Sequence, residues 1–90
     1  MSRKPYLPPL NLLINETVGE RIAKIRKEKG LTQEELGKEI GIKRSMISDY
    51  EIGRAKLYDE MLIRFAIALN VSLDYLVGLK DDPEPLPKKK

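Results

Sequence analysis

The stretch 32–50 constrains the fold most, because it predicts two very short helices with only a tight turn between them. Thr32 and Glu35 have the spacing of a capping box, in which each side chain bonds the other residue's backbone at a helix start. Gly41 favours left-handed backbone and ends this helix, and the next helix begins near Lys43. Helices of about two turns are marginal in isolation. Both must therefore pack on other parts of the chain.

Three further segments have apolar residues at helical spacing. The first begins at a second capping box, Thr17 with Glu20, and ends at Gly30. The others cover about residues 59–69 and 73–77. No alternating strand pattern competes with them. The sequence therefore predicts an all-α fold, a bundle of five helices.

The composition restricts the chemistry that the chain can carry. Ninety residues are enough for one domain and too few for two. The absence of Cys and His excludes disulfides, the usual zinc ligands, Cys nucleophiles and Ser-His-Asp triads. We therefore expect no enzyme activity, no metal site and no cofactor. The apolar runs are too short to span a membrane, and the proline-rich start does not resemble a signal peptide, so we expect a cytoplasmic protein.

Composition also predicts three segments: an extended, proline-containing arm at 1–16, a helical domain at 17–79 and a flexible charged tail at 80–90. The arm has too many apolar side chains to be wholly solvated, and we expect it to pack on the domain's own flank or on a second subunit. These arm residues are Tyr6, Leu7, Leu10, Leu12, Leu13 and Ile14. The last predicted helix offers Leu76, Val77 and Leu79 as an exposed partner patch.

Charge and geometry both point towards nucleic acid. The net charge is +3, and residues 18–56 carry the excess, with ten Lys and Arg against seven Asp and Glu. Two short helices joined at Gly41 have the helix-turn-helix arrangement, in which the second helix enters a major groove about 12 Å wide. The two helices must cross closely, and Gly37 is the small residue expected at the crossing. We expect Gly37→Ala to stabilise the fold if a methyl group fits there.

The residues TQEELGKEIGIKRSMISDYEIGRAKLYDEMLIRFAIALNVSLDYLVG closely resemble the helix-turn-helix domain of the phage repressor and Cro type, often called XRE-type. The resemblance covers residues 18–79 and implies a five-helix, repressor-like bundle. It also implies a sequence-specific DNA-binding transcriptional regulator. The expected mode is repression, by a homodimer bound to an inverted-repeat operator in double-stranded DNA.

The resemblance also assigns roles to individual residues. Its base-reading positions are Lys43, Arg44, Ser45 and Asp49, with Arg44 as the expected guanine reader. The residues assigned to the DNA backbone are Thr32, Gln33, Tyr50, Arg54 and Lys56, and the charge pattern adds Lys38 as a phosphate candidate. Arg26 and Glu51 are assigned a structural ion pair.

The sequence departs from this family pattern at both ends of the recognition region. Lys43 stands where relatives usually have a Ser or Thr cap, which predicts a less rigid helix start. Leu57 and Tyr58 replace the usual Pro and Ser, so we expect Asp59 to cap the fourth helix. An alternative function also stays open, that of an antitoxin-like module that neutralises a protein partner through its arm or tail and autoregulates its operon.

Overall fold

A computed structural model describes residues 17–86, which form five α-helices and contain no β-strand. The predicted arm, 1–16, and residues 87–90 lie outside the described residues. None of the helices within 17–86 is long and apolar enough to cross a membrane. The helices are α1 Val18–Glu28, α2 Gln33–Ile40, α3 Arg44–Glu51, α4 Asp59–Leu69 and α5 Leu73–Leu76.

Local chemistry sets the starts of α1 and α2. Both predicted capping boxes form, and at the start of α2 the Thr32 hydroxyl accepts from the Glu35 amide at 3.0 Å while the Glu35 carboxylate accepts from the Thr32 amide at 2.8 Å. Gly41 ends α2 in the left-handed region with φ 91°. The short turn to α3 follows directly.

The starts of α3 and α4 lack a side-chain cap. Lys43 occupies the cap position of α3 and makes no capping hydrogen bond through its side chain, as its chemistry predicts. At α4 the prediction that Asp59 is the cap is wrong, because Tyr58 takes that position and Asp59 is already helical. The Asp59 carboxylate instead accepts from the amide of Glu60 at 2.9 Å.

The core lies between the apolar faces of the five helices, with α1 packed on α3, α4 and α5, and α2 packed on α3 and α4. Its buried members are Ile22, Ile25, Leu36, Ile40, Ile47, Phe65, Ala66, Leu69, Val71, Tyr75 and Leu76. The prediction of an exposed patch on α5 is wrong, since Leu76 is fully buried and Val77 half-buried, and only Leu79 is mainly exposed. A helix of four residues is too short for its sequence to define which side faces the core.

Two glycines allow the helices around α3 to approach closely. A methyl group on Gly37 would lie 2.6 Å from the carbonyl oxygen of Ile42, so the condition under which Gly37→Ala is expected to stabilise the fold is not met. The Gly37 carbonyl also accepts from the amides of Gly41 and Ile42, at 2.7 and 2.9 Å. Gly19 on α1 is tighter still, because its methyl would overlap the Tyr50 carbonyl oxygen and would lie 2.6 Å from the Glu51 carbonyl oxygen, both at the end of α3.

Residues 80–86, the first part of the predicted tail, run back along the domain. The Ser72 amide donates to the Glu84 carbonyl at 2.9 Å, and the Leu86 amide donates to the Asn70 side chain at 3.2 Å. The predicted boundary at residue 79 therefore does not mark the end of the contacts. Composition does not indicate these contacts, because they use backbone groups rather than apolar side chains.

Candidate nucleic-acid interface

The first turn of α3 presents a polar, exposed surface above the core. Lys43, Arg44 and Ser45 are exposed, whereas Ile47 in the next turn is fully buried. Met46 is half-buried at the edge of this surface. Three of the four residues assigned to base reading therefore lie together at the helix start.

Asp49, the fourth predicted base reader, contacts the loop that follows α3. Its carboxylate lies 3.9 Å from the guanidinium of Arg54, and its side chain is 32% exposed against 73% for Arg54. Its carbonyl oxygen accepts from the amides of Arg54 and Ala55, at 2.8 and 3.2 Å. Asp49 thus connects the loop to the helix. Its carboxylate faces Arg54 of that loop and is also partly exposed at the surface.

A buried ion pair fixes α3 to α1, and it is the pair that the family resemblance implies. Arg26 donates to the two carboxylate oxygens of Glu51 at 2.6 and 3.1 Å. The two side chains are only 10% and 6% exposed, so water screens the pair little. Arg26 also donates to the carbonyl of Leu31 at 2.8 Å. The fork geometry of the guanidinium therefore holds three acceptors at one place.

Gln33 connects this buried pair to the exposed surface. Its side-chain nitrogen donates to Glu51 Oε1 at 2.9 Å, and its side-chain oxygen accepts from Arg44 at 3.4 Å. A continuous series of contacts thus runs from Arg26 through Glu51 and Gln33 to Arg44. It involves α1, α2 and both ends of α3.

The remaining residues assigned to the DNA backbone differ in their freedom. The side chain of Thr32 caps α2, and the ring of Tyr50 packs edge-on against Phe65 with 5.8 Å between centroids. Lys38 on α2 and Lys56 in the loop after α3 are exposed. The two lysines and Arg54 are therefore exposed cations beside α3, whereas the Thr32 oxygen and the Tyr50 ring already have partners.

Sequence reasoning missed three residues that hold the helices of this domain together. Gly19 permits the close approach of α1 to the end of α3, and Arg64 on α4 donates to the Ile40 carbonyl at 3.2 Å at the end of α2. Arg21 is buried and donates to the carbonyls of Tyr75 and Lys80. Of these three residues, only Gly19 could have been identified from the sequence, because it is a small residue on the apolar face of α1.

The chain is similar to known proteins across its helical region. A family model described as helix-turn-helix matches residues 22–76. The HTH-type transcriptional regulator YobD of Bacillus subtilis is 38% identical over 71 residues, which are 79% of this chain and 63% of YobD. Multiprotein-bridging factor 1 of Eremothecium gossypii is 42% identical over 79 residues, which are 86% of this chain and 49% of that protein. The chain thus spans between about half and two thirds of the length of these two relatives.

A solved structure has the same arrangement of helices. The crystal structure of the P22 c2 repressor protein in complex with a synthetic operator matches with a TM-score of 0.65 and 35% identity. The match covers 69% of this chain and 94% of the P22 chain.

Proposed function

This chain belongs to the helix-turn-helix family of DNA-binding transcriptional regulators, and from that premise we propose that it represses transcription by binding one specific operator sequence in double-stranded DNA. The family consists of regulators and not of enzymes. A regulator of this kind acts where the DNA is, and we propose the cytoplasm as its location.

One observation carries the proposal: the exposed first turn of α3 belongs to a helix that buried, hydrogen-bonded groups hold in place. Lys43, Arg44 and Ser45 are exposed and can meet base edges. Gln33 contacts Arg44 at the start of α3, and the Arg26–Glu51 pair fixes the end of the same helix. The major groove admits an α-helix, and an arginine fork matches the O6 and N7 atoms of guanine. Arg44 is accordingly the principal base reader, and Asp49 contributes from the next turn.

Contacts to phosphate would orient α3 in the groove without reading sequence. Arg54 and Lys56 follow α3 in the loop, and Lys38 lies on α2, so these cations can meet the backbone on either side. Thr32, Gln33 and the hydroxyl of Tyr50 complete the set of backbone contacts. Because each phosphate contact releases counterions, operator affinity should fall steeply as salt rises.

We further propose that two copies bind an inverted repeat. One domain of this size makes few base contacts, whereas two copies related by a twofold axis read half-sites about 10 base pairs apart, one turn of DNA. The P22 c2 repressor, a structural neighbour, was solved on an operator, which supports the assignment as a repressor.

Selection of bound sequences from random DNA tests the proposal. The full chain should enrich an inverted repeat with half-sites one helical turn apart. Lys80→Ala is a matched control, since it removes one positive charge from a residue that pairs with Glu84 rather than with the helix-turn-helix. Failure of both proteins to enrich any sequence would contradict specific operator binding.

A second candidate function is that of a protein-binding module with an antitoxin-like role. Two large apolar side chains on one face of α4 favour it, Ile63 and Ile67, which are 46% and 64% exposed. Such a module would bind its partner through this face, the arm or the tail, and would regulate its own operon through α3. Ile67→Ser should then abolish capture of the partner while the selected DNA sequence stays the same.

A further inference from the structure

An apolar groove lies between the first turn of α1 and the loop 52–58, on the side of that loop facing α1 and α4. Its volume is about 670 Å³. Val18, Ala55, Leu57 and Leu62 supply apolar wall, and all four are half-buried. None of these residues belongs to the exposed first turn of α3, so the groove is separate from the base-reading surface.

The rim of the groove leaves large apolar surface exposed. Ile52 is 63% exposed and Tyr58 is 71% exposed. Single exposed apolar side chains are common, but two beside a groove with apolar walls form a contiguous patch. Such a patch is typical of a surface that another chain segment or molecule covers.

We propose that residues 10–16 of this same chain lie in the groove, with Leu12, Leu13 and Ile14 against its apolar wall. Thr17, the residue that follows this segment, is itself part of the groove wall. An extended chain spans about 3.3 Å per residue, so Leu12 reaches roughly 17 Å from Thr17 and Ile14 about 10 Å.

Covalent connection favours this occupant over a separate molecule. A segment attached at the edge of the groove is present there at a high effective concentration, and its binding needs no association step. A second exposed apolar surface, Ile63 with Ile67, lies on α4 beside the Glu60–Arg64 ion pair and lines no part of the groove. The groove is therefore the apolar surface next to which the segment before Thr17 is attached.

The absence of cysteine allows a direct test in the full chain. Leu13→Cys creates a single attachment site for a nitroxide spin label, and NMR of the ¹⁵N-labelled protein then reports which amides lie near it. The amide signals of Leu57 and Leu62 should lose most of their intensity. A label at Lys88→Cys, near the other end of the chain, is the matched control and should leave these signals intact.

Mixing two differently labelled samples distinguishes the chain's own arm from the arm of a second subunit. Spin-labelled chain without ¹⁵N is mixed with ¹⁵N-labelled chain without a spin label, and the signals of Leu57 and Leu62 should then stay intact. Loss of intensity in the mixture would overturn the proposal in favour of a second subunit's arm. Unchanged signals in the doubly labelled chain, or losses confined to Ile63 and Ile67, would overturn it as well.

Hydrogen exchange gives a second readout that needs no label. The amides of Arg54 and Ala55 donate to the Asp49 carbonyl inside the loop. Serine at positions 12, 13 and 14 together should speed their exchange roughly tenfold or more, because uncovering one leucine-sized side chain already changes an opening equilibrium by about that factor. Ile67→Ser, a similar change elsewhere, should not. Equal exchange in all three proteins would overturn the proposal.

Discussion

The side-chain amide of Gln33 donates to Glu51 Oε1 at 2.9 Å, and so connects the start of α2 to the end of α3. Glu51 is already bound by Arg26 from α1, and the oxygen of the same Gln33 amide faces Arg44. One neutral side chain therefore bridges a buried ion pair and the proposed guanine reader. This position explains how a helix start without a side-chain cap at Lys43 can still be oriented.

Replacing Gln33 should affect DNA binding more than folding. Gln33→Ala removes one hydrogen bond to a charged group that keeps its main partner, so the free energy of unfolding should fall by about 1 kcal/mol. Operator affinity should fall about five- to tenfold, because Arg44 loses its support and a phosphate contact is lost. Glu34→Ala, on the exposed neighbour, is the control in both titrations. An affinity equal to that of this control would contradict the bridging role.

The Arg26–Glu51 pair should behave as a buried pair in urea unfolding. Arg26→Met or Glu51→Leu alone leaves one charge buried without its partner and should cost about 3 to 5 kcal/mol. The double variant should cost less than either single one, since neither charge then remains. Glu60→Gln breaks the exposed pair with Arg64 and should cost under about 0.5 kcal/mol. If the single variants lost no more stability than Glu60→Gln, the Arg26–Glu51 pair would contribute nothing to the free energy of unfolding.

Gly37→Ala should destabilise the protein, contrary to what backbone entropy alone predicts. The added methyl would lie 2.6 Å from the Ile42 carbonyl, and relieving that overlap should cost about 1 to 3 kcal/mol. The lower conformational entropy of the unfolded chain with Ala would offset at most about 1 kcal/mol of this cost. Lys38→Ala, at the exposed neighbouring position, should leave the unfolding midpoint nearly unchanged. A higher midpoint for Gly37→Ala would mean that α2 and the following turn are further apart than described.

Arg21 should contribute far more to the free energy of unfolding than a charged residue on a helix surface does. It is 3% exposed, its guanidinium lies 4.6 Å from the centre of the Tyr75 ring, and it donates to the carbonyls of Tyr75 and Lys80. Arg21→Ala should lower the free energy of unfolding by about 2 to 3 kcal/mol. Asp81→Asn, which alters only the 93% exposed partner, should cost under about 0.5 kcal/mol. Similar losses for the two variants would contradict this division.

Local signals explain most of what the sequence could predict about the fold. The capping boxes at Thr17 and Thr32 and the left-handed stop at Gly41 involve residues within a few positions of each other, so their spacing is visible in the sequence. The all-α fold and the bounds of α2 and α4 followed from such signals. The Asp59 cap was wrong by one residue, which is the usual uncertainty at a helix end.

The interactions that sequence reasoning missed join residues far apart in the chain. Arg21 meets groups 54 to 60 positions away, and nothing near it in the sequence indicates burial. The space beside Gly37 depends on a distance to a carbonyl in the following turn, which composition cannot supply. Within the candidate site, the family pattern supplied Arg26, Glu51 and Gln33, whereas the contact of Asp49 with Arg54 depends on how the loop turns back.

We propose that the start of α3 reads bases while the loop after it holds the backbone, and a comparison of Arg44→Ala with Arg54→Ala tests this claim. Both are measured on the selected operator and on its single-base variants at several salt concentrations, with Lys80→Ala as the charge-matched control. Arg44→Ala should cost about 1 to 3 kcal/mol and abolish the preference at one base pair per half-site. Arg54→Ala should weaken all sequences alike and reduce the salt slope by about one per subunit. Equal weakening of every sequence by Arg44→Ala, with all base preferences intact, would contradict the claim.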